Sequence, residues 1–429
     1  MFRRIFYKFP RLVGYYHYLL ARLAALWHGH PSRRIFVIGV TGTKGKTTAL
    51  ELLNSILEAA GKRTALLSSF RIKIGERSER STLGNTMPGR FFIQRFLSKA
   101  VRAGCDYALI EVTSQGVAMH RHRFIDWNMA VLTNLAPEHI EAHGSFEKYR
   151  LTKLDFLEYV VKLGGRVFIN KDDKNFRYFG EALQDRDVIE YSKSDAGIET
   201  VLNPNPMEAV PQSEEQFFLS DFNKDNIAAA AAVALDLGVN GDVIKEAVRN
   251  FPGVPGRMEF VRQGGATVVI DYAHTPDSLE LVYKTLLGLK SKNPASQAGG
   301  QDLKPGRLIC VLGAAGGGRD KWKRPAMGKI ASEYCDEIIL TNEDPYDEDP
   351  KEIILEIKKG VAPEKIQSTD IILSRREAIG RAVDLAKEGD IVAVTGKGSE
   401  PWLHISRGRK VPWSDRRVVE DALKKRGGR

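Results

Sequence analysis

Short apolar runs and helical periodicities alternate along most of the chain. Ile35–Val40 is a β-branched run that predicts a strand. A glycine-studded turn follows, then a helical pattern through Thr47–Leu53. Thr64–Ser68 reads as a second strand, and residues 71–85 as a loop or short hairpin. Turn residues 84–89 precede a predicted helix over Arg90–Ala103. Strands are predicted at Asp106–Val112, Met129–Leu132 and Arg166–Asn170, with a helix over Phe146–Val161 between the last two. Strands separated by helices predict a mainly parallel sheet covered on both faces. Residues 184–220 carry Pro204, Pro206 and Pro211 and read as small strands and loops, with an antiparallel edge as one reading. Asp225–Leu237 is an alanine-rich helix, and Phe251–Gly256 reads as a hinge. A second α/β series has strands at 267–271, 307–312, 337–341 and 390–395, interrupted by a polar tether at 293–306. The fold class expected is therefore α/β: a phosphate-loop domain with a mainly parallel sheet, then a Rossmann-like C-terminal domain.

The start of the chain breaks this pattern. Leu12, Tyr16, Leu19, Leu23 and Leu26 recur at helical spacing, beside Tyr15, Tyr18 and Trp27. Arg3, Arg4, Lys8, Arg11, Arg22, Arg33 and Arg34 accompany them without one acid. Such a segment lies on an anionic membrane, or it packs its leucine face on the protein core. Only ten residues between Arg11 and Arg22 lack a full charge, too few to span a bilayer. The expected divisions are a basic amphipathic segment 1–32, a central α/β domain 33–252 and a C-terminal domain 253–429.

Composition changes little. A chain of 429 residues with 43% hydrophobic content supports two or three domains. Its net charge of +10 suits an anionic substrate, a membrane or nucleic acid about equally. Cys105, Cys310 and Cys335 lie far apart, which predicts reduced thiols in a reducing compartment and no structural metal site.

The candidate chemistry begins at Thr41-Gly42-Thr43-Lys44-Gly45-Lys46-Thr47-Thr48. Strand, glycine loop and helix are the context of a phosphate-binding loop. Glycines let backbone N–H groups turn toward an anion, and the helix start adds its positive end. Lys46 suits β- and γ-phosphates, and Thr47 suits Mg²⁺. The strict motif wants glycine at Val40; here Gly39 sits one residue earlier. Glu111 ends a strand near Ser114, where a carboxylate can serve Mg²⁺. The loop at 134–144 gathers Glu138, His139, Glu141 and His143. By composition alone Lys153 is a surface lysine. The loop itself equally allows a kinase, a GTPase or a nucleic-acid motor. No guanine-reading string supports the second, and no aromatic–basic stripe supports the third, so no nucleic-acid partner is expected.

Several strings together extend the picture: GVTGTKGKTT at 39–48, EVTSQG at 111–116, TNLAPEHIEAHGSFEKYRLTK at 133–153, FNKDNIAAAAA at 222–232, GVPGRME at 253–259, DYAHTPDSLE at 271–280, KRPAMG at 323–328 and TGKGSE at 395–400. In this order and spacing they resemble the Mur ligases, most of all the branch that adds the third residue to a UDP-N-acetylmuramoyl dipeptide. Folate-polyglutamate ligases share much of that architecture. The resemblance implies an ATP-dependent amide ligase, with a muramoyl-peptide precursor and a free amino acid as partners. It implies Mg²⁺ at Thr47, Glu111, His139 and Lys153, with Lys153 carboxylated to N6-carboxylysine. It puts nucleotide contacts at residues 41–48, Asn226, Arg257, Asp271 and His274, and reaction chemistry at Lys46, Glu111, His139, Lys153 and Arg257. Substrate contacts are implied at Ser114, Arg319, Asp344, Tyr346, Gly396 and Glu400. The implied reaction is carboxylate attack on the γ-phosphate, then amine attack on the acyl phosphate, shielded from water by closure of the last domain.

Three departures bear on the substrate. Family members carry an N-terminal domain that grips UDP, whereas here the phosphate loop begins about 38 residues in. Tyr346 stands where diaminopimelate-adding members have an arginine, and a phenol cannot replace a bidentate guanidinium. The acids Asp347, Glu348 and Asp349 suit an amine-bearing side chain such as lysine, or form a solvated acidic loop. Ser399 replaces a histidine, while Glu400 keeps its place. Lys323 and Arg324 read as anion partners or a plain surface pair. The alternatives are a ligase on a lipid-linked or other carboxylate, or a non-catalytic nucleotide-binding partner. The expected location is the cytoplasm, with membrane association through residues 1–30 as the accompanying reading.

Overall fold

The computed structural model describes residues 10–83, 86–138, 140–183, 187–202, 221–263, 266–290 and 306–427. It divides into two compact units after Pro252.

In the first unit, eight described strands form one sheet: β1 (Phe36–Thr41), β2 (Thr64–Leu67), β3 (Arg71–Ile74), β4 (Arg77–Arg80), β5 (Tyr107–Glu111), β6 (Met129–Leu132), β7 (Arg166–Asn170) and β8 (Val188–Tyr191). Their order is β4-β3-β2-β5-β1-β6-β7-β8. β1 lies between β5 and β6 and is parallel to both. The chain goes one way from β1 to β2 and returns across β1 to reach β6. The end of β1 is thus a topological switch point, where open α/β sheets bind ligands. Gly39 is a packing residue: a Cβ there would lie 2.6 Å from Phe156 and 2.8 Å from Trp127. This explains a glycine one place before the position the phosphate-loop motif favours.

The antiparallel edge belongs to β2-β3-β4, the hairpin read at 71–85. The edge read within 184–220 is corrected: β8 runs parallel to β7, because the helix Phe176–Ala182 supplies a crossover between them. Most of that segment lies outside the described residues.

The helix Pro10–Trp27 carries the N-terminal stripe, and the reading that packs its leucine face on the core is corrected. It packs through His17, Ala21, Ala24 and Ala25, all buried, against the helix Arg90–Arg102. Its leucine face does not join the core: Leu12 and Leu23 are 57% and 55% exposed.

In the second unit, the described strands are β9 (Glu259–Gln263), β10 (Ala266–Asp271), β11 (Leu308–Leu312), β12 (Glu337–Leu340), β13 (Thr369–Ile371) and β14 (Ile391–Thr395). Their order is β13-β12-β11-β14-β10-β9, parallel apart from β9. A small hairpin, β15 (Trp402–His404) with β16 (Lys410–Pro412), follows. The reading of three separate thiols is also corrected. Cys310 on β11 and Cys335, just ahead of the neighbouring β12, form a disulfide, with Cα atoms 6.0 Å apart. Adjacent strands bring together residues 25 apart in sequence, which spacing alone does not reveal. Cys105 stays a buried thiol, so the cysteines no longer argue for a reducing compartment.

Candidate functional site

The first cluster is built at the end of β1. Gly42 and Gly45 both have positive φ, 148° and 79°. A Cβ on Gly42 would lie 1.9 Å from Thr133 Oγ1, and one on Gly45 1.9 Å from Asn226 Oδ1. The loop therefore admits only glycine at these points. Residues following β6 brace it. The Thr43 amide donates to the Asn134 carbonyl at 2.9 Å, and the Lys44 amide to Asn134 Oδ1 at 2.9 Å. Thr133 Oγ1 donates to the Lys44 carbonyl at 2.7 Å. Gly45 then begins the helix Lys46–Ala59, whose N-terminus faces the loop.

Lys46 folds back over this loop, its Nζ donating to the carbonyls of Gly42 at 3.0 Å and Thr43 at 2.8 Å. Thr47 Oγ1 donates to Glu111 Oε2 at 3.1 Å, and the Ser69 amide donates to the same oxygen at 2.8 Å. Register explains the first contact, since Glu111 pairs with Val40 on β1. Thr48 is buried one residue further along, and the Thr41 hydroxyl lies 3.5 Å from Lys153 Nζ.

Lys153 is 1% exposed. The surface reading from composition is corrected. In the helix Phe146–Lys162 the buried face runs through Tyr149, Lys153, Phe156, Leu157 and Val160. Lys153 Nζ donates to the Gly42 carbonyl at 2.8 Å and lies 4.8 Å from the centre of the Tyr149 ring. Burial holds its amine well below the ordinary lysine range, and the Lys46 charge pushes the same way. Tyr149 in turn hydrogen-bonds Thr43 at 3.0 Å. Ser114 pairs with His143 Nε2 at 3.0 Å, and burial, then Lys153, lowers that imidazole. Asn226, on the helix Asp221–Asp236, is buried against Gly45. His139 lies outside the described residues.

These groups fit a nucleotide with Mg²⁺. The positive φ of Gly42 and Gly45 gives the backbone curl of a phosphate loop, and Thr47 and Glu111 supply the oxygens Mg²⁺ prefers. No group of three or more His, Cys, Asp or Glu gathers as a metal cage among the described residues. A helix N-terminus alone offers about 0.3–1 kcal/mol to an anion, so the loop amides and Lys46 must carry the rest.

A second cluster sits at the strand ends of the other unit. Arg257 lies over the Tyr272 ring, 4.0 Å from its centre. Asp271 accepts from the amides of Met258 and Ala273, at 2.8 and 2.7 Å. Burial raises its carboxyl despite Arg257. His274 Nδ1 lies 2.8 Å from the Tyr272 carbonyl. Lys397 is buried between Asp344, at 2.9 Å, and Glu400, which also accepts from the Tyr272 hydroxyl at 3.0 Å. A Cβ on Gly396 would lie 2.5 Å from Glu343 Oε2, a buried oxygen without a hydrogen-bond partner. Tyr346, at φ 53°, stacks on His404 and accepts from Arg319 at 3.1 Å.

Of the acids after Tyr346, Asp347 and Asp349 are exposed, as a solvated loop would have them, and all three have partners within the protein. Asp347 accepts from the Arg407 amide, Glu348 pairs with Lys321 and Arg324, and Asp349 caps the helix Pro350–Lys358. Arg324 is no surface residue: it is buried and held by Glu348 and Glu356. Lys323 is buried with Nζ on the His274 carbonyl.

Sequence reasoning missed Ser69, Tyr149, Tyr272, Glu343 and Lys397. Tyr149 was within reach, because it stands one helical turn before Lys153. Ser69 had no comparable signal, since its role depends on β2 lying beside β5.

Comparison with known proteins gives a consistent picture. Residues 40–234 match the Mur ligase middle domain, and residues 256–398 the Mur ligase, glutamate ligase domain. The UDP-N-acetylmuramoyl-L-alanyl-D-glutamate–2,6-diaminopimelate ligase of Aquifex aeolicus is 36% identical over 94% of this chain and 80% of its own length. A solved structure of a ligase with the same description superposes with TM-score 0.56 at 27% identity, over 92% of this chain and 79% of that one. A folylpolyglutamate synthase from Mycobacterium tuberculosis, complexed with ADP and AMPPCP, shares the fold, with TM-score 0.62 at 16% identity over 88% and 92% of the two chains.

Proposed function

The chain belongs to the Mur ligase family, and from that premise we propose that it joins an amino acid to a carboxylate of a muramoyl-peptide cell-wall precursor, using ATP. The observation that carries the reading is the gathering of Lys46, Thr47, Glu111 and Lys153 around one glycine loop at a switch point. A glycine turn that merely joined a strand to a helix would need neither a buried lysine nor a buried glutamate.

In this reading the loop amides and Lys46 orient the triphosphate. Thr47 and Glu111 hold Mg²⁺, which offsets charge on the phosphoryl group in transfer. An acceptor carboxylate oxygen bonds to the γ-phosphorus as the bond to ADP breaks. The amine then adds to the acyl carbon, loses a proton, and phosphate leaves with the oxygen it received. His143, whose pKa is lowered by burial, is able to take a proton beside Ser114. Asn226 and the second unit's Arg257, Asp271 and His274 are assigned to the nucleotide, and Arg319, Asp344, Tyr346, Gly396 and Glu400 to the amino acid.

Lys153 is proposed to carry an N6-carboxyl group. An amine held neutral is the form that adds to carbon dioxide, and the anion produced removes the conflict with Lys46. Turnover should fall in carbonate-free buffer and return with bicarbonate; indifference to bicarbonate would remove this assignment. The reading puts the chain in the cytoplasm, with no nucleic-acid partner. A lipid-linked acceptor is the second reading, favoured by the outward stripe of the N-terminal helix.

The test is a phosphate-release screen of amino acids, lysine and diaminopimelate included, against UDP-muramoyl dipeptide. Release only when acceptor and amino acid are both present supports the first reading. Release only with a lipid-linked acceptor moves it to the second, and release with neither removes both.

A further inference from the structure

The helix Pro10–Trp27 is fixed on one side and open on the other. Its small residues Ala21, Ala24 and Ala25 are buried, so the helix cannot roll to hide its large ones. Leu12, Tyr16, Leu19, Leu23, Leu26 and Trp27 face outward, with exposures from 37% at Leu19 to 82% at Trp27. Single exposed leucines need no explanation, but a contiguous stripe does. Burying such a stripe on the protein would have been simple with the leucines and alanines exchanged.

Charge selects the occupant. From Pro10 to Arg34 the chain carries Arg11, Arg22, Arg33 and Arg34 and no carboxylate. Arg22 is exposed beside the stripe. Arg95, Lys99 and Arg102 lie on the supporting helix, and the nearby acid, Asp126, is 3.7 Å from Arg33. A second copy would bring like charges together, and the repeat covers only about two heptads where a coiled coil needs about three or four. Among the described residues no helix is long and apolar enough to cross a membrane. Tyrosine and tryptophan beside leucine and arginine suit the boundary between headgroups and acyl chains.

We propose that this face docks the chain in the plane of a bilayer bearing anionic headgroups. Leu12, Leu19, Leu23, Leu26 and Trp27 enter the interface, and Arg22 meets the headgroup charge. The docking deepens the reading of a lipid-linked acceptor, but it is measured without substrate, so either can fail alone.

The test is sedimentation of the full chain with vesicles of phosphatidylcholine mixed with phosphatidylglycerol, and with phosphatidylcholine alone. The expected result is binding to the anionic vesicles that weakens with salt. The double variant Leu19→Glu, Leu23→Glu should lose about tenfold or more in partitioning. Its thermal midpoint and its phosphate release with soluble acceptor should be unchanged. Arg22→Ser, which keeps the apolar stripe, should weaken binding to anionic vesicles only. Equal binding by wild type and double variant overturns the proposal. So does equal binding to both vesicle types, no binding to either, or a dimer that the double variant makes monomeric.

Discussion

Gly45 and Lys46 stand next to each other and fail differently when changed. Gly45→Ala puts a methyl group against the Asn226 amide at a positive φ, so both backbone and neighbour must shift. Nucleotide affinity measured by calorimetry should fall by about tenfold or more. Lys46→Ala leaves the backbone free to keep its shape and removes the charge. Substrate-dependent phosphate release should fall by about a hundredfold or more, with the circular dichroism spectrum intact. At this scale the phosphate loop was legible because its residues are contiguous and each has one plain use. Lys153 was legible through the family resemblance but not from its own residue type, although the helical spacing of Tyr149, Phe156, Leu157 and Val160 put it on the buried face. Composition marks lysine as exposed, and only periodicity could have argued otherwise. Glu343 and Lys397 depend on neighbouring strand ends in the second unit, which no local pattern reports.

Two elements depend on single buried charges or rings. Arg375 begins the helix Arg375–Leu385 and meets Asp415, the first residue of the helix Asp415–Gly427, through bonds of 2.8 and 2.7 Å. Its guanidinium also reaches the Thr395 carbonyl at the end of β14. Removing one partner of such a pair costs about 3–5 kcal/mol, so Arg375→Ala should lower the urea midpoint of unfolding accordingly. His17 docks the N-terminal helix, with both ring nitrogens lacking a partner. Burial, then Arg90, His120 and Arg121, lowers its pKa from 6.5 to about 4. The unfolded chain therefore takes up a proton that the folded chain refuses. This contribution to stability is complete above pH 6.5 and is lost as pH falls toward about 4. Thermal midpoints should drop over that range, and His17→Leu should reduce the drop. An equal drop in the variant would show that His17 is not the sensing group. The central parallel strands of each sheet were readable from apolar runs. β9, β13 and the β15–β16 hairpin were not, because short or exposed strands carry no such run.

For the whole molecule, the two polar clusters lie where chain order and sheet order part company, or where strands end. That is why the class of chemistry could be read early and the acceptor could not. The first depends on backbone turns that only certain residues allow. The second depends on which side chains line a space, and Tyr346 shows the difficulty: it holds Arg319 and stacks on His404, contacts with no trace in its sequence neighbours. The central claim is that the acceptor's own carboxylate oxygen receives the phosphoryl group. Acceptor labelled with oxygen-18 in that carboxylate tests it directly, with released phosphate read by mass spectrometry. One labelled oxygen per amide formed is the predicted result. Phosphate free of label, with amide still made, would contradict the account.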